Sequence, residues 1–175
     1  MREECRSEAS VRAVASILLR HHLSGRLAPV GMQGHEVELV CAIARVESSW
    51  EPLAYRFEPH KGEASTGLMQ VLQSTAMWLA EDMGYHAYTV DWASAMLYPP
   101  FLGMYYGMAY LAWLTNFKGV HRSEEFVVWA YNGGPRGADK PATTVYWRRY
   151  LRAKEVTVGC GWVHGDKGIS ACSCA

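Results

Sequence analysis

Val11, Val14, Ala15, Leu18 and Leu19 recur at helical spacing, which predicts a first helix over about Glu8 to His22. The Gly- and Pro-bearing loop SGRLAPVGMQG follows. Val37, Val40, Cys41 and Ala44 mark a second helix from His35 to Ser48, with Glu36 and Glu38 in the first turn, where the helix dipole favours carboxylates. Extending that apolar stripe by three residues reaches Glu47, so this carboxyl group stands on the core-facing side. From Glu51 to Gly67 the periodicity stops, with Pro52, Pro59, Gly62 and Gly67 as breakers, and the segment reads as an irregular, aromatic-rich loop with a short hairpin.

Ser74 has the chemistry of an N-cap for a helix running to Met83 and closed by Gly84. Pro99 and Pro100 open a long helix to about Phe117, apolar nearly all round and therefore the central helix of the domain. Ser123, Glu124 and Glu125 start a helix through Tyr131, and NGGPRG ends it. A last helix over about Ala142 to Lys154 carries Tyr146, Tyr150 and Ala153 on one face, and the remainder, VTVGCGWVHGDKGISACSCA, reads as loose chain. The prediction is a mainly α domain with few, short strands. Residues 1–30 supply an N-terminal helix and linker, 31–155 the domain proper, and 156–175 a Cys-containing tail.

Half of the 175 residues are hydrophobic and 12% aromatic, enough for a sizeable core without staples. Seventeen basic residues balance seventeen acidic ones, so no net field attracts nucleic acid or an anionic membrane. Recognition is expected to rest on shape, stacking and hydrogen bonds. No run reaches the ~18 apolar residues of a membrane span. The acidic start MREECRSEAS lacks the form of a signal or transit peptide, and an intracellular setting is the expectation. Of five cysteines, Cys41 lies on an apolar helix face and behaves as a small hydrophobe. Cys160, His164, Cys172 and Cys174 match no usual zinc spacing, so neither a metal nor another cofactor is expected.

Three places join polar groups to apolar, Gly-marked surroundings: Glu47-Ser48, STGLMQVLQSTA and AYNGGPRG. Glu47 reads either as a solvated helix-end carboxylate or as a carboxyl group walled by Trp50, Tyr55 and Phe57. In the second case desolvation would push its pKa up and let it act as a general acid, as cleavage of a glycosidic bond requires. Gln70 and Asn132 read either as amides satisfying local backbone or as groups positioning hydroxyl and N-acetyl substituents. Tyr131, Tyr146 and Trp147 offer stacking faces or belong to the core.

In order and spacing, ARVESSWEPLA, STGLMQVLQSTA and AYNGGP resemble the soluble lytic transglycosylase (SLT) domain, a lysozyme-like fold, over about His35 to Leu151. A compact branch of that family that occurs in plants is especially similar and would fit the missing secretory signal. The resemblance implies that Glu47 is the single catalytic acid and base, and that Ser48 supplies a hydroxyl in the site. It further implies sugar contacts from Gln70 and the backbone near Met69, orientation of the substrate by Tyr131 and Asn132, and a late tyrosine at Tyr146. Three positions depart from the pattern: Gln73 stands where proline is usual, Gly133 where alanine is frequent, and Ala142 where a glutamate is common.

The activity so implied is cleavage of β-1,4 linkages in peptidoglycan with an anhydro-muramic product, by a monomer whose partner is the glycan. Most glycosidases need a second carboxylate, about 5–5.5 Å or 6.5–9.5 Å from the first. Here only the loop residues Glu51, Glu58 and Glu63 offer one. Two alternatives remain: a hydrolase of chitin-like N-acetylglucosamine polymers using Glu47, and a carbohydrate-binding module that kept the cleft without turnover.

Overall fold

A computed structural model describes residues 2–21, 36–88, 90–92, 96–137 and 141–159 of the chain. The first helix, α1 (Arg2–His21), begins six residues before the predicted start at Glu8, with Arg2–Ser7 extending it at the N-terminal end. Helix α2 (Glu36–Ser48) matches its expected span, with Leu39 to Ala44 buried. The segment expected to be loop and hairpin folds into a three-stranded antiparallel sheet in the order β1 (Tyr55–Glu58), β2 (Glu63–Thr66), β3 (Val71–Leu72). Tyr55 pairs with Thr66 and Glu58 with Glu63, while Thr66 pairs with Val71.

Helix α3 (Gln73–Glu81) follows β3 directly. Ser74 is therefore not its N-cap; Leu72 holds that position. Glu63 of β2 reaches across instead, accepting the Ser74 backbone N–H at 3.0 Å and the Ser74 hydroxyl. Helix α4 (Pro100–Thr115) has eleven buried residues and runs into a 3₁₀ turn (Phe117–Gly119). Among the described residues no helix is long and apolar enough to cross a membrane. Ser123 caps α5 (Glu124–Gly133) as expected, its Oγ accepting from Phe126 N at 3.3 Å. Ser123→Ala is accordingly expected to cost about 1 kcal/mol in a urea melt, the ordinary worth of an N-cap.

The last helix, α6 (Pro141–Gly159), runs five residues beyond the predicted end, because Ala153 and Thr157 are buried and carry its apolar face onward. The rest of the tail, with Cys160, His164, Cys172 and Cys174, lies outside the described residues. Helix α6 packs against α2 and α5, and α1 against α2 and α4. Arg12 of α1 ties these helices together: it donates to Glu38 of α2 at 3.0 Å, to buried Glu8 at 3.3 Å and to the Thr157 carbonyl at 2.9 Å. Cys41 sits fully buried in the core, and burial pushes its thiol up to about 12, which leaves it unreactive near neutrality.

Candidate functional site

Helix α2 stops abruptly after Glu47 and Ser48. Ser49 N still bonds to Arg45 O at 2.9 Å, but Ser49 and Trp50 both take positive φ, 54° and 63°, and turn the chain away. Glu47 is thereby left in the last turn, half-buried, with Oε1 accepting from the Tyr146 hydroxyl of α6 at 2.7 Å. Arg149, one turn further along α6, donates to Val46 O at 3.1 Å and fastens the same two helices. Two residues 99 positions apart thus meet at one oxygen.

Burial is the largest influence on Glu47 and pushes its carboxyl above the ordinary range. The Tyr146 hydrogen bond and the charges of Arg56 and Arg149 pull it back, while Glu58 pushes it further up. The net direction is upward. Tyr146 and Tyr131 are held well above the usual phenol range, by burial first and then by the Glu47 charge, so both remain protonated donors.

The walls of the carboxyl group are not those expected. Tyr55 and Phe57 are 57% and 53% exposed on the edge strand β1, so they do not desolvate it. Trp50 is buried, but its Nε1 donates to Cys41 O and its ring lies under Arg45, on the α2 side. Tyr146, at 4% exposure, offers no free stacking face, and Trp147 stacks on Tyr150.

Ser48 Oγ stands 2.9 Å from Ala44 O and 2.8 Å from Leu68 O. Its one proton serves either carbonyl, and the contact joins the end of α2 to the turn between β2 and β3. In that turn Met69 is wholly buried against Gly107 of α4, where an added Cβ would fall 2.5 Å from Met69 Sδ. The Met69 carbonyl accepts from the Tyr131 hydroxyl at 2.8 Å. Gln70 holds φ at 47°, and its carboxamide is committed to the loop: Nε2 donates to Ala54 O and Gly67 O, and Oε1 accepts from Ser65 Oγ. The local reading of this amide is the one its bonds support.

Beside the turn lies a cleft of about 250 Å³. Gln70, Tyr131 and Asn132 line it, with Lys61, Thr75 and Tyr110. Gly133 and Gly134 also border it. Asn132 is exposed there, and its carboxamide is bonded to no described residue. Glu47 and Tyr146 do not line this cleft. The connection runs through Tyr131, which borders the cleft, leans on Tyr110 at 5.5 Å and feels the Glu47 charge.

Reading the chain alone missed Arg56, Arg149, Lys61 and Tyr110. Arg149 is three residues beyond Tyr146, one helical turn, which is the signal that could have found it. The other three depend on tertiary placement. Ala142, one of the three departures from the resembling pattern, stands in the first turn of α6.

A carboxyl group pushed upward by burial and held by one phenol can keep a proton near neutrality and deliver it to a leaving oxygen. The cleft lining suits a ligand rich in hydroxyl and amide groups. The family model of the transglycosylase SLT domain matches residues 28–152. Comparison with curated proteins finds no match.

Proposed function

Because the chain belongs to the transglycosylase SLT domain family, whose fold is lysozyme-like, we propose that it cleaves the β-1,4 linkage between N-acetylmuramic acid and N-acetylglucosamine with Glu47 as sole catalytic carboxyl group. The family as a whole is one of lytic transglycosylase-like peptidoglycan glycosidases, and its domains bind glycan. The observation that carries the reading is the Glu47–Tyr146 pair, a desolvated acid with a single donor on it.

In this reading protonated Glu47 gives its proton to the glycosidic oxygen as the C1–O bond breaks. The substrate's N-acetyl group stabilises the cation at C1. The departing sugar leaves as an alcohol, and Glu47, now a carboxylate, takes the proton from the C6 hydroxyl as that oxygen attacks C1. The product is a 1,6-anhydro end and no water is consumed. Tyr146 steadies the carboxylate between the two steps, while Ser48 and Gln70 hold the turn that carries Met69 and, through its carbonyl, Tyr131. Asn132, with its unbonded carboxamide in the cleft, contacts the substrate directly.

One observation favours a second reading, hydrolysis. Among the loop glutamates, Glu51 accepts from Leu53 N and Glu63 from Ser74, whereas Glu58, although paired with Arg56 at 2.7 Å, raises the Glu47 pKa across space. Mass spectrometry of products from purified peptidoglycan decides between them. Anhydro-muropeptides are the expected result, and reducing ends would transfer the role of second carboxylate to Glu58. Sugar binding without any product would leave a carbohydrate-binding module.

Tyr146→Phe keeps the ring and removes the bond to Glu47. Activity is expected to fall about tenfold, the scale of one hydrogen bond to a charged group. Since that bond lowers the Glu47 pKa, its loss moves the Glu47 limb of the pH–rate profile to higher pH. A limb that stays in place would mean that Tyr146 acts only by packing.

A further inference from the structure

The cleft wall contains one ionised side chain. Lys61 stands among Gln70, Thr75, Tyr110, Tyr131 and Asn132, none of which carries charge at neutral pH. The hairpin turn sets it there: Lys61 N and Gly62 N both donate to Glu58 O, at 2.9 and 3.0 Å, and Gly62 takes φ +68°. The two carboxylates that flank the turn are engaged elsewhere. Glu58 pairs with Arg56 at 2.7 Å, and Glu63 accepts both donors of Ser74. Among the described residues Lys61 therefore borders the cleft with no ion-pair partner.

A single uncompensated cation in an otherwise neutral wall, polar but for Val71 and Leu72, selects for a ligand that brings one anionic group beside its hydroxyl and amide groups. We infer that Lys61 is a specificity-determining residue which makes the cleft prefer carboxylate-bearing amino-sugar polymers over neutral ones. The inference rests on the reading of the cleft as a glycan site. The carboxylate has two sources in such a polymer: the lactyl group of a muramic ring stripped of peptide, or the acids of an attached stem peptide. Lys61 is exposed, so the preference is modest, about three- to fivefold, as befits a solvent-facing ion pair.

The test measures binding, with Glu47→Gln as the parent so that no ligand is consumed. Three ligands are titrated: peptide-free muramic strands, strands with intact stem peptides, and chitohexaose. Adding Lys61→Met is expected to weaken one or both acidic ligands about three- to fivefold, leave chitohexaose unchanged, and lose its effect at about 0.5 M salt, where exposed pairs are screened. Whichever acidic strand responds identifies the source of the carboxylate. Lys61→Arg should retain the preference. Equal weakening of all three ligands, or no change in any, overturns the inference while leaving the glycan reading intact. A parent that binds none of the three removes both.

Discussion

Glu47→Gln is expected to reduce strand cleavage by at least ~10²-fold, the usual scale of general acid catalysis, and at the same time to make the folded protein more stable at neutral pH. The amide has the size of the acid and can still accept from the Tyr146 hydroxyl, but it has no proton to transfer. The stability gain follows from the direction of the titration. Burial holds the Glu47 carboxyl above its unfolded value, so at low pH both states keep the proton and the site costs nothing. As pH rises past the unfolded value, the unfolded chain ionises first and folded stability falls until the folded carboxyl has also lost its proton. Glutamine removes that loss. The difference in Tm between variant and parent should therefore grow from about pH 4 to pH 7. Full activity in the variant would sink the site assignment. A difference that stays flat with pH would show that the carboxyl is not desolvated.

The second large effect concerns a glycine far less conspicuous in function. Gly67→Ala is expected to cost about 2–4 kcal/mol and to lower Tm on the order of 10 °C. Gly67 takes φ +76°, and a Cβ placed there would fall 2.1 Å from the Leu97 carbonyl oxygen, a backbone atom that cannot rotate away. Gly103 of α4 approaches the same oxygen, where a Cβ would come within 2.4 Å. The Leu97 peptide is thus seated between two glycines, and its N–H is held by Thr66 Oγ1 at 3.1 Å. Displacing it also disturbs the Gly67 carbonyl to which the Gln70 carboxamide donates. Gly62→Ala is the control: φ is +68°, yet nothing lies within 4 Å of its added Cβ, so only the backbone strain of about 1 kcal/mol should appear. Equal losses at the two positions would mean that conformation, not contact, sets the cost.

What could be read from the chain follows a physical division. Helix α2, the Ser123 cap and the core character of α4 are written in local pattern, and each was legible. Ser74 is not the cap because its cap-like chemistry is local, whereas the group that satisfies its N–H is Glu63, eleven residues away on strand β2. Strand β3 has two residues, too few for any period to show. The end of α6 depends on Thr157 meeting Arg12 from the opposite end of the chain, which no window of sequence contains. At the site, the helical stripe by itself moved Glu47 inward. Its true surroundings were hidden, because Tyr55 and Phe57 face solvent on an edge strand and Trp50 is buried with its indole N–H on the Cys41 carbonyl, while Tyr146 arrives from α6. Gln70 is the inverse case: the motif marks it for substrate, and its bonds bind it to the loop.

The cross-chain bond between α2 and α6 also sets a schedule. During synthesis Glu47 emerges 99 residues ahead of Tyr146, an interval of about 5–20 s at ordinary elongation rates. Throughout that interval the end of α2 lacks the phenol, and the Arg12 strut lacks the carbonyl at its far end. On the proposed reading, cleavage would therefore await α6: a nascent or prematurely terminated chain ending before that helix carries Glu47 but not the phenol that bonds to it.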